Sequence, residues 1–382
     1  MKISTYKPIN VIGNPANLAA ALDSSLEELG SLIENKAKLY QKRIIPKKNG
    51  KSRTVYSVDR ELKKIQNKIN NRIFSEVEFA SYLFGSISDP DLPRDYLLCA
   101  ESHCPSAIIA TIDIKDFFDH ITDEKVEKIF SGFFNFPDDV AELLTELCTF
   151  QGRVPQGAPT SSYLANLMFG TQEKRIAKAA NECGARYSRL LDDIIISSPQ
   201  KNFSIDTLYQ RVEQMIVNSG FQINETKSKV DILGPKPLEV HGIVVTGNSP
   251  KVSKLKYQEI RRLVHQVSDL SKTDNRRTTH RYYKKYHRAY GLLSILKRVN
   301  HPAHKKLKSK LTSAPPLPSN RFRNSIFRRL SKLESKHQIH QQRKWFAKDW
   351  NRISHELGIL RRSYPEDATN ARNRLNLITP YV

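Results

Sequence analysis

Three aspartates are the residues of this sequence best placed to do chemistry. Residues 107–113 (AIIATID) form a continuous apolar run that ends in Asp113. A second apolar stretch holds Asp192-Asp193 between Leu190-Leu191 and Ile194-Ile195-Ile196. A short apolar run bounded by polar residues reads as a buried strand, so Asp113 stands at a strand tip. Residues 187–191 and 194–198 read as a hairpin with both acids at its turn. If the two strands are neighbours, three carboxylates meet at one point and repel one another. Divalent cations relieve that cost, and hard carboxylate oxygens suit Mg²⁺. Two such ions about 3.5–4 Å apart can activate an attacking hydroxyl and stabilise a leaving pyrophosphate. An Asp-Asp pair is also an ordinary turn, and spacing alone leaves both readings open.

The elements that must position these acids follow from local pattern. Residues 1–40 read as one or two helices, with Asn14 before Pro15 as a start signal. Two β-prone runs flank Lys48-Asn49-Gly50-Lys51, where Asn-Gly marks a hairpin. Asp59 caps a helix expected to run to about residue 74. Helices are expected at 122–131, 138–150, 161–178 and 205–219, a turn at 154–160, and strands at 228–233 and 240–246. This order is α+β, with one antiparallel sheet and helices on one face. Beyond residue 251 the pattern is helical. It is interrupted by a proline-rich stretch at 312–320 that reads as a linker, and resumes with Phe327, Trp345, Phe346 and Trp350 as aromatic anchors.

Composition narrows the partners. The chain has 382 residues and a formal net charge of +23. Residues 251–382 hold 32 Lys/Arg and 8 Asp/Glu, a net of +24, which leaves residues 1–250 at −1. A basic block of that size calls for a polyanion, most commonly nucleic acid. No apolar run approaches the ~20 residues needed to span a bilayer, and the first ten residues lack an apolar signal core. Cys99, Cys104, Cys148 and Cys183 match no zinc spacing, and free thiols suit a reducing cytosol.

Eight segments, in order, resemble the reverse transcriptases, closest to the bacterial retron and defence-associated branch. Ile45-Pro-Lys-Lys-Asn-Gly-Lys-Ser-Arg53 is similar to the family's fingers hairpin. Cys99-Ala-Glu-Ser-His103 resembles the retron signature Asn-Ala-x-x-His, with Cys for Asn. Asp113-Ile-Lys-Asp-Phe-Phe118 resembles the first catalytic motif of the palm, and Pro155-Gln-Gly-Ala-Pro-Thr-Ser-Ser-Tyr-Leu-Ala-Asn166 the next. Tyr187-Ser-Arg-Leu-Leu-Asp-Asp193 stands where the family has Tyr-x-Asp-Asp. Asn224-Glu-Thr-Lys227 resembles the lysine motif, Val240-His-Gly-Ile-Val-Val245 the retron Val-Thr-Gly segment with His241 for Thr, and residues 291–307 the thumb. The resemblance implies a right-hand polymerase fold: N-terminal helices and fingers over 1–110, a palm with the antiparallel sheet over 111–250, a helical thumb over 251–311, and a linker with a basic helical C-terminal extension over 312–382.

The implied activity is RNA-directed DNA polymerase, copying a dedicated noncoding RNA in antiphage defence. Asp113, Asp192 and Asp193 are the implied catalytic acids and, with Ile114, the implied metal site, for two Mg²⁺ ions or Mn²⁺ in their place. The Ile114 amide at the strand end is expected to face phosphate. Lys51 and Arg53 would grip the incoming triphosphate. Gln156 would bond near nucleotide and template, and Phe118 would clash with a 2′-hydroxyl and so select dNTPs. Lys227 would stabilise the leaving pyrophosphate. Tyr282, Tyr286 and Tyr290 fall at i, i+4 and i+8 among Lys284, Lys285 and Arg288. Either the rings stack on nucleic acid beside phosphate-binding cations, or they pack inward and only the cations face out. The implied partners are the noncoding RNA template, the DNA product and dNTPs, in a bacterial cytoplasm without membrane contact. An effector, a second polymerase protein and self-association stay open. Leu190-Leu191, in place of Tyr and a small residue, motivates an alternative of protein-primed or untemplated synthesis by the same site. A non-catalytic RNA-binding scaffold is the remaining reading, and three intact acids argue against it.

Overall fold

The structure is a computed structural model that describes residues 4–7, 12–46, 50, 52–89, 93–273 and 275–380. The chain falls into two compact units, Met1–Lys251 and Val252–Val382. That division coincides with the change in charge.

The first unit is built on a five-stranded sheet. Its order is Leu83–Phe84, Arg186–Leu190, Asp193–Ser198, Ile108–Asp113 and Lys229–Ile232. Neighbours are antiparallel except Leu83–Phe84, which runs parallel to Arg186–Leu190. The central strands carry Ile108, Ile109, Ala110, Ile112, Ile194, Ile195 and Ile196, all buried. β-branched side chains fit a pleated, covered surface, and an unbroken apolar run needs cover on both faces. One face joins the main core with Leu144, Leu164, Ile176 and Val212. The other, carrying Ser188 and Ser197, is covered by the helix Tyr96–Ser102. The expectation of cover on one face only is thus corrected: the serines on the second face have a buried histidine to bond.

The N-terminal signals act as expected. Asn14 accepts from the Asn17 amide and Asp59 from the Glu61 amide, satisfying helix-end donors that otherwise lack partners. The hairpin pairs Tyr40–Pro46 with Ser52–Val58. Two expectations need correction. The helix foreseen at 161–178 is two helices, Ser161–Leu167 and Gly170–Glu182, broken where Gly170 takes φ +45°. The strand foreseen at 240–246 is a tight hairpin, Glu239–Val240 and Ile243–Val244, turning through His241 and Gly242 at φ +49° and +78°. Two positive φ values in a two-residue loop match the twist of the flanking strands.

The second unit is helical and has two cores. Lys254–Leu270, His280–Arg298 and His304–Thr312 enclose Ile260, Val264, Val267, Tyr282, Leu293 and Leu311. Asn320–Glu334, Lys344–Leu360 and Pro365–Asn376 enclose Ile326, Leu330, Phe346, Ile353, Leu357 and Leu375. Of the aromatic anchors, Phe346 is fully buried, Trp350 donates to the Leu375 carbonyl at 3.0 Å, and Trp345 is exposed. The proline-rich stretch is not a free linker. Tyr282 Oη donates to Ala314 O at 2.6 Å, Arg277 to Pro315 O at 2.7 and 2.9 Å, Arg362 to Pro316 O at 3.1 Å, and the Leu317 amide to Arg277 O at 3.0 Å. No helix among the described residues is long and apolar enough to cross a membrane.

Candidate active site

The strand register brings the three acids together. Asp113 pairs directly with Asp193 across Ile108–Asp113 and Asp193–Ser198. Asp192 occupies the turn beside it and is tied in by the Ile114 amide, which donates to Asp192 O at 2.9 Å. That bond corrects the expectation that the Ile114 amide faces phosphate. The turn is strained: Leu191 has φ +57°, a left-handed conformation uncommon for a bulky residue and typical of functional turns.

Asp113 is almost fully buried, and both its oxygens are engaged. Lys227 Nζ donates to Oδ2 at 2.7 Å and Asn224 Nδ2 to Oδ1 at 2.7 Å. The Asp113 amide donates to Ser228 Oγ at 3.1 Å, and the Asn224 amide to Asp113 O at 2.8 Å. The other two acids feel their surroundings. Burial, then the charge of Asp113, holds Asp192 above the usual carboxylate range, against the pull of Lys227 and Arg53. Burial, then Asp192 and Asp113, pushes Asp193 up to about 7. Burial opposes the charge on Lys227, but its hydrogen bond and attraction to Asp113 prevail and raise its pKa. Among the described residues no group of three or more His, Cys, Asp or Glu side chains is arranged to hold a metal ion as it stands. The donor chemistry nonetheless fits a hard divalent cation: three carboxylates converge, and the charge of Asp113 disfavours that of Asp192 and Asp193.

The remaining expected residues are placed as follows. Arg53 is exposed on Ser52–Val58 and within electrostatic reach of Asp192. Lys51 lies outside the described residues. Phe118 is half-buried, tilted 5.9 Å from the core ring Phe117. Gln156 is half-buried and its carbonyl accepts from the Tyr56 amide at 2.8 Å. Gly157, at φ +113°, makes that approach feasible, since a Cβ there would lie 2.6 Å from Tyr56 O.

In the second unit the three tyrosines divide between the two readings. Tyr282 and Tyr286 are buried in the core, while Tyr290 is about half exposed. Tyr283 is equally exposed, with its ring 4.2 Å from His287. Lys284 is exposed, Lys285 half-buried, and Arg288 lies 3.3 Å from Glu259. The outward aromatics are therefore Tyr283 and Tyr290.

Pattern reasoning missed three further features. Arg189, fully buried, forms a bidentate pair with buried Glu173 at 2.6 and 2.9 Å. It also donates to the carbonyls of Ala165, Asn166 and Leu191 at 3.0–3.1 Å, bracing the acidic turn. Asn224, three residues before Lys227, holds Asp113. A buried polar row also runs behind Asp193. His241 Nδ1 lies 3.8 Å from Asp193 Oδ2, and Cys99 Sγ is 3.6 Å from His241 Nε2 and 3.2 Å from Ser188 Oγ. His103 lies 2.7 Å from Ser188 Oγ and 2.6 Å from Ser197 Oγ. Burial lowers His241 to about 4 and His103 to about 3, and raises the Cys99 thiol to about 12, so all three are neutral at pH 7.

Residues 45–259 match the family described as "Reverse transcriptase (RNA-dependent DNA polymerase)". Over 395 residues the chain is 31% identical to the retron Ec48 reverse transcriptase of Escherichia coli, covering 100% of this chain and 97% of that one. Over 306 residues it is 31% identical to the retron Se72 reverse transcriptase of Salmonella heidelberg (strain 579083-10), covering 79% of each. A third similarity, to the retron Ec86 reverse transcriptase of Escherichia coli, is 28% over 260 residues, covering 67% of this chain and 79% of that one.

Proposed function

The chain belongs to the retron reverse transcriptases, and from that membership we propose that it copies a dedicated noncoding RNA into DNA in antiphage defence, with two Mg²⁺ ions held by Asp113, Asp192 and Asp193. RNA-directed DNA polymerisation is the family's reaction, and Cys99 and His241 do not set the chain apart from the retron group. The observation that carries the metal reading is the convergence of the three acids at one strand end, with Asp193 pushed up to about 7. When bound, the ions activate the primer 3′-hydroxyl and offset charge on the leaving pyrophosphate.

The protein's own groups do the rest. Asp113 and Asp193 are fixed by strand pairing, so they are preorganised rather than gathered on binding. Lys227 supplies a cation to the pyrophosphate side, and its hydrogen bond to Asp113 keeps it charged until then. Arg53, with Lys51, meets the triphosphate. Phe118 lies under the sugar and excludes a 2′-hydroxyl, and Gln156 faces nucleotide and template. On the second unit, Lys284, Lys285 and Arg288 neutralise phosphates, and Tyr290 with Tyr283 stacks on bases. Tyr282 and Tyr286 are withdrawn from that role because they are core.

The test is primer extension on the RNA that copurifies with the protein, with Mg²⁺ and dNTPs, followed by sequencing of template and product. DNA complementary to that RNA, lost in Asp192→Ala, is the expected result. No product from the wild-type protein, or product undiminished by Asp192→Ala, overturns the proposal.

A further inference from the structure

The polar row behind Asp193 is used by nothing described so far. It begins at the sheet face opposite the main core and ends at Asp193. Its members come from three separate places in the chain: the helix Tyr96–Ser102 with His103 at its end, the paired strands Arg186–Leu190 and Asp193–Ser198, and the tight hairpin at His241. Only 12% of the His241 side chain is exposed, and His103 and Ser188 are fully buried. Buried polar groups are costly unless each finds a partner. Here His103, Ser188, Ser197 and Cys99 each have one, and the contacts run consecutively from Ser197 to His241.

We propose that Cys99 and His241 are positioning residues that orient the Asp193 carboxylate, through a hydrogen-bond row polarised toward it from Ser197. Donor and acceptor capacity permits one continuous direction. Ser197 Oγ–H donates to His103 Nδ1 at 2.6 Å, and His103 Nε2–H to Ser188 Oγ at 2.7 Å. Ser188 Oγ–H donates to Cys99 Sγ at 3.2 Å, and the Cys99 thiol to His241 Nε2 at 3.6 Å. That leaves the Nδ1–H of His241 turned to Asp193 Oδ2, 3.8 Å away, a charge–dipole contact rather than a full hydrogen bond. Each bond in such a row polarises the next. The row uses one donor and one acceptor nitrogen on each imidazole, which is the capacity of the neutral ring.

The role differs from packing in a way the geometry makes plain. His241 approaches Oδ2 of the acid, and the Cys99 thiol, facing Nε2, sets which imidazole nitrogen carries the proton. Groups of this kind behind a metal ligand typically change metal affinity or activity by about 10–100-fold. Cys99 and His241 are also the two positions where this chain departs from the retron signature, and the structure places the two departures in contact.

The proposal rests on reading Asp193 as a metal-binding carboxylate, and its test separates the two. His241→Gly removes the ring without a backbone penalty at φ +49°. His241→Asn tolerates that conformation and still offers an N–H. The full-length protein is titrated with Mn²⁺ and free Mn²⁺ is read by EPR. In parallel, Mg²⁺ half-saturation and dNTP KM are measured in primer extension. His241→Gly is expected to weaken Mn²⁺ binding and raise the Mg²⁺ requirement about tenfold, with dNTP KM within about twofold. His241→Asn should restore most of both. Cys99→Ala should weaken metal binding less and add nothing in the His241→Gly background, because it acts through the ring. Unchanged Mn²⁺ affinity in His241→Gly overturns the proposal, as does an additive Cys99→Ala effect. Should His241→Gly not fold, Cys99→Ala and His241→Asn carry the same decision. If the wild-type protein binds Mn²⁺ but extends no primer, the function reading fails while the titration still decides this one.

Discussion

The ammonium of Lys227 rests 2.7 Å from Oδ2 of Asp113, so the cation proposed for the pyrophosphate side and a proposed catalytic acid are held as one pair. Lys227→Met should slow nucleotide addition about 10²-fold or more in single-turnover extension, with a smaller change in dNTP KM. Lys227→Arg should retain part of the rate because the charge is kept. A methionine variant at wild-type rate would remove Lys227 from the chemistry.

The Arg189–Glu173 pair gives a stability prediction with a built-in control. Glu173→Ala strands a buried guanidinium and should cost about 3–5 kcal/mol in urea denaturation. Replacing both partners, Arg189→Met with Glu173→Leu, leaves no unpaired charge but strands the carbonyls of Ala165, Asn166 and Leu191 and the Tyr187 hydroxyl, so it should recover only part of that loss. Polymerase activity should nonetheless fall in the double variant, because Arg189 Nη1 no longer braces Leu191 O.

The acid limb of stability has a named contributor. Burial lowers His103 to about 3, against about 6.5 in an unfolded chain. The folded value is depressed, so its stabilising contribution is present above pH 6.5 and is lost as pH falls from 6.5 toward 3. The urea midpoint of the wild-type protein should therefore drop more steeply over that window than that of His103→Gln. His241, at about 4, acts with the same sign in both proteins and cancels in the difference. Parallel curves would rule out His103.

Adjacent tyrosines should behave oppositely. Tyr283→Ala should weaken binding of single-stranded RNA by about 1–3 kcal/mol, the usual worth of one stacked base, with Tm unchanged. Tyr282→Ala should lower Tm instead, by the loss of a buried ring and its bond to Ala314 O. Unchanged RNA binding in Tyr283→Ala would place that ring outside the interface.

The parts of this structure that a short window encodes were legible in the sequence. The strand ending in Asp113, the acidic hairpin, the Asn14 and Asp59 caps and the fingers hairpin each rest on local signals. What depended on distant partners was not. Arg189 sits in a strand whose neighbours read as ordinary alternation, and only the fold supplies Glu173, sixteen residues away. The tyrosine spacing marked a stripe, but periodicity alone does not say which side of a helix faces a core. Residues 312–320 had linker composition, yet three of their carbonyls are acceptors for Tyr282, Arg277 and Arg362, which no local pattern reveals. The Cys99 and His241 departures were visible singly; their contact required the hairpin and helix to meet.

The bond between Tyr56 and Gln156, with no room for a side chain at residue 157, has a mechanical consequence. Arg53 and Tyr56 lie on the same strand, so a pull on the hairpin reaches the main chain of Gln156 without passing through a hinge. With Arg53 and Gln156 in their proposed roles, displacement at the triphosphate end and displacement at the templating end are then one stroke of a single lever, coupled through this backbone bond.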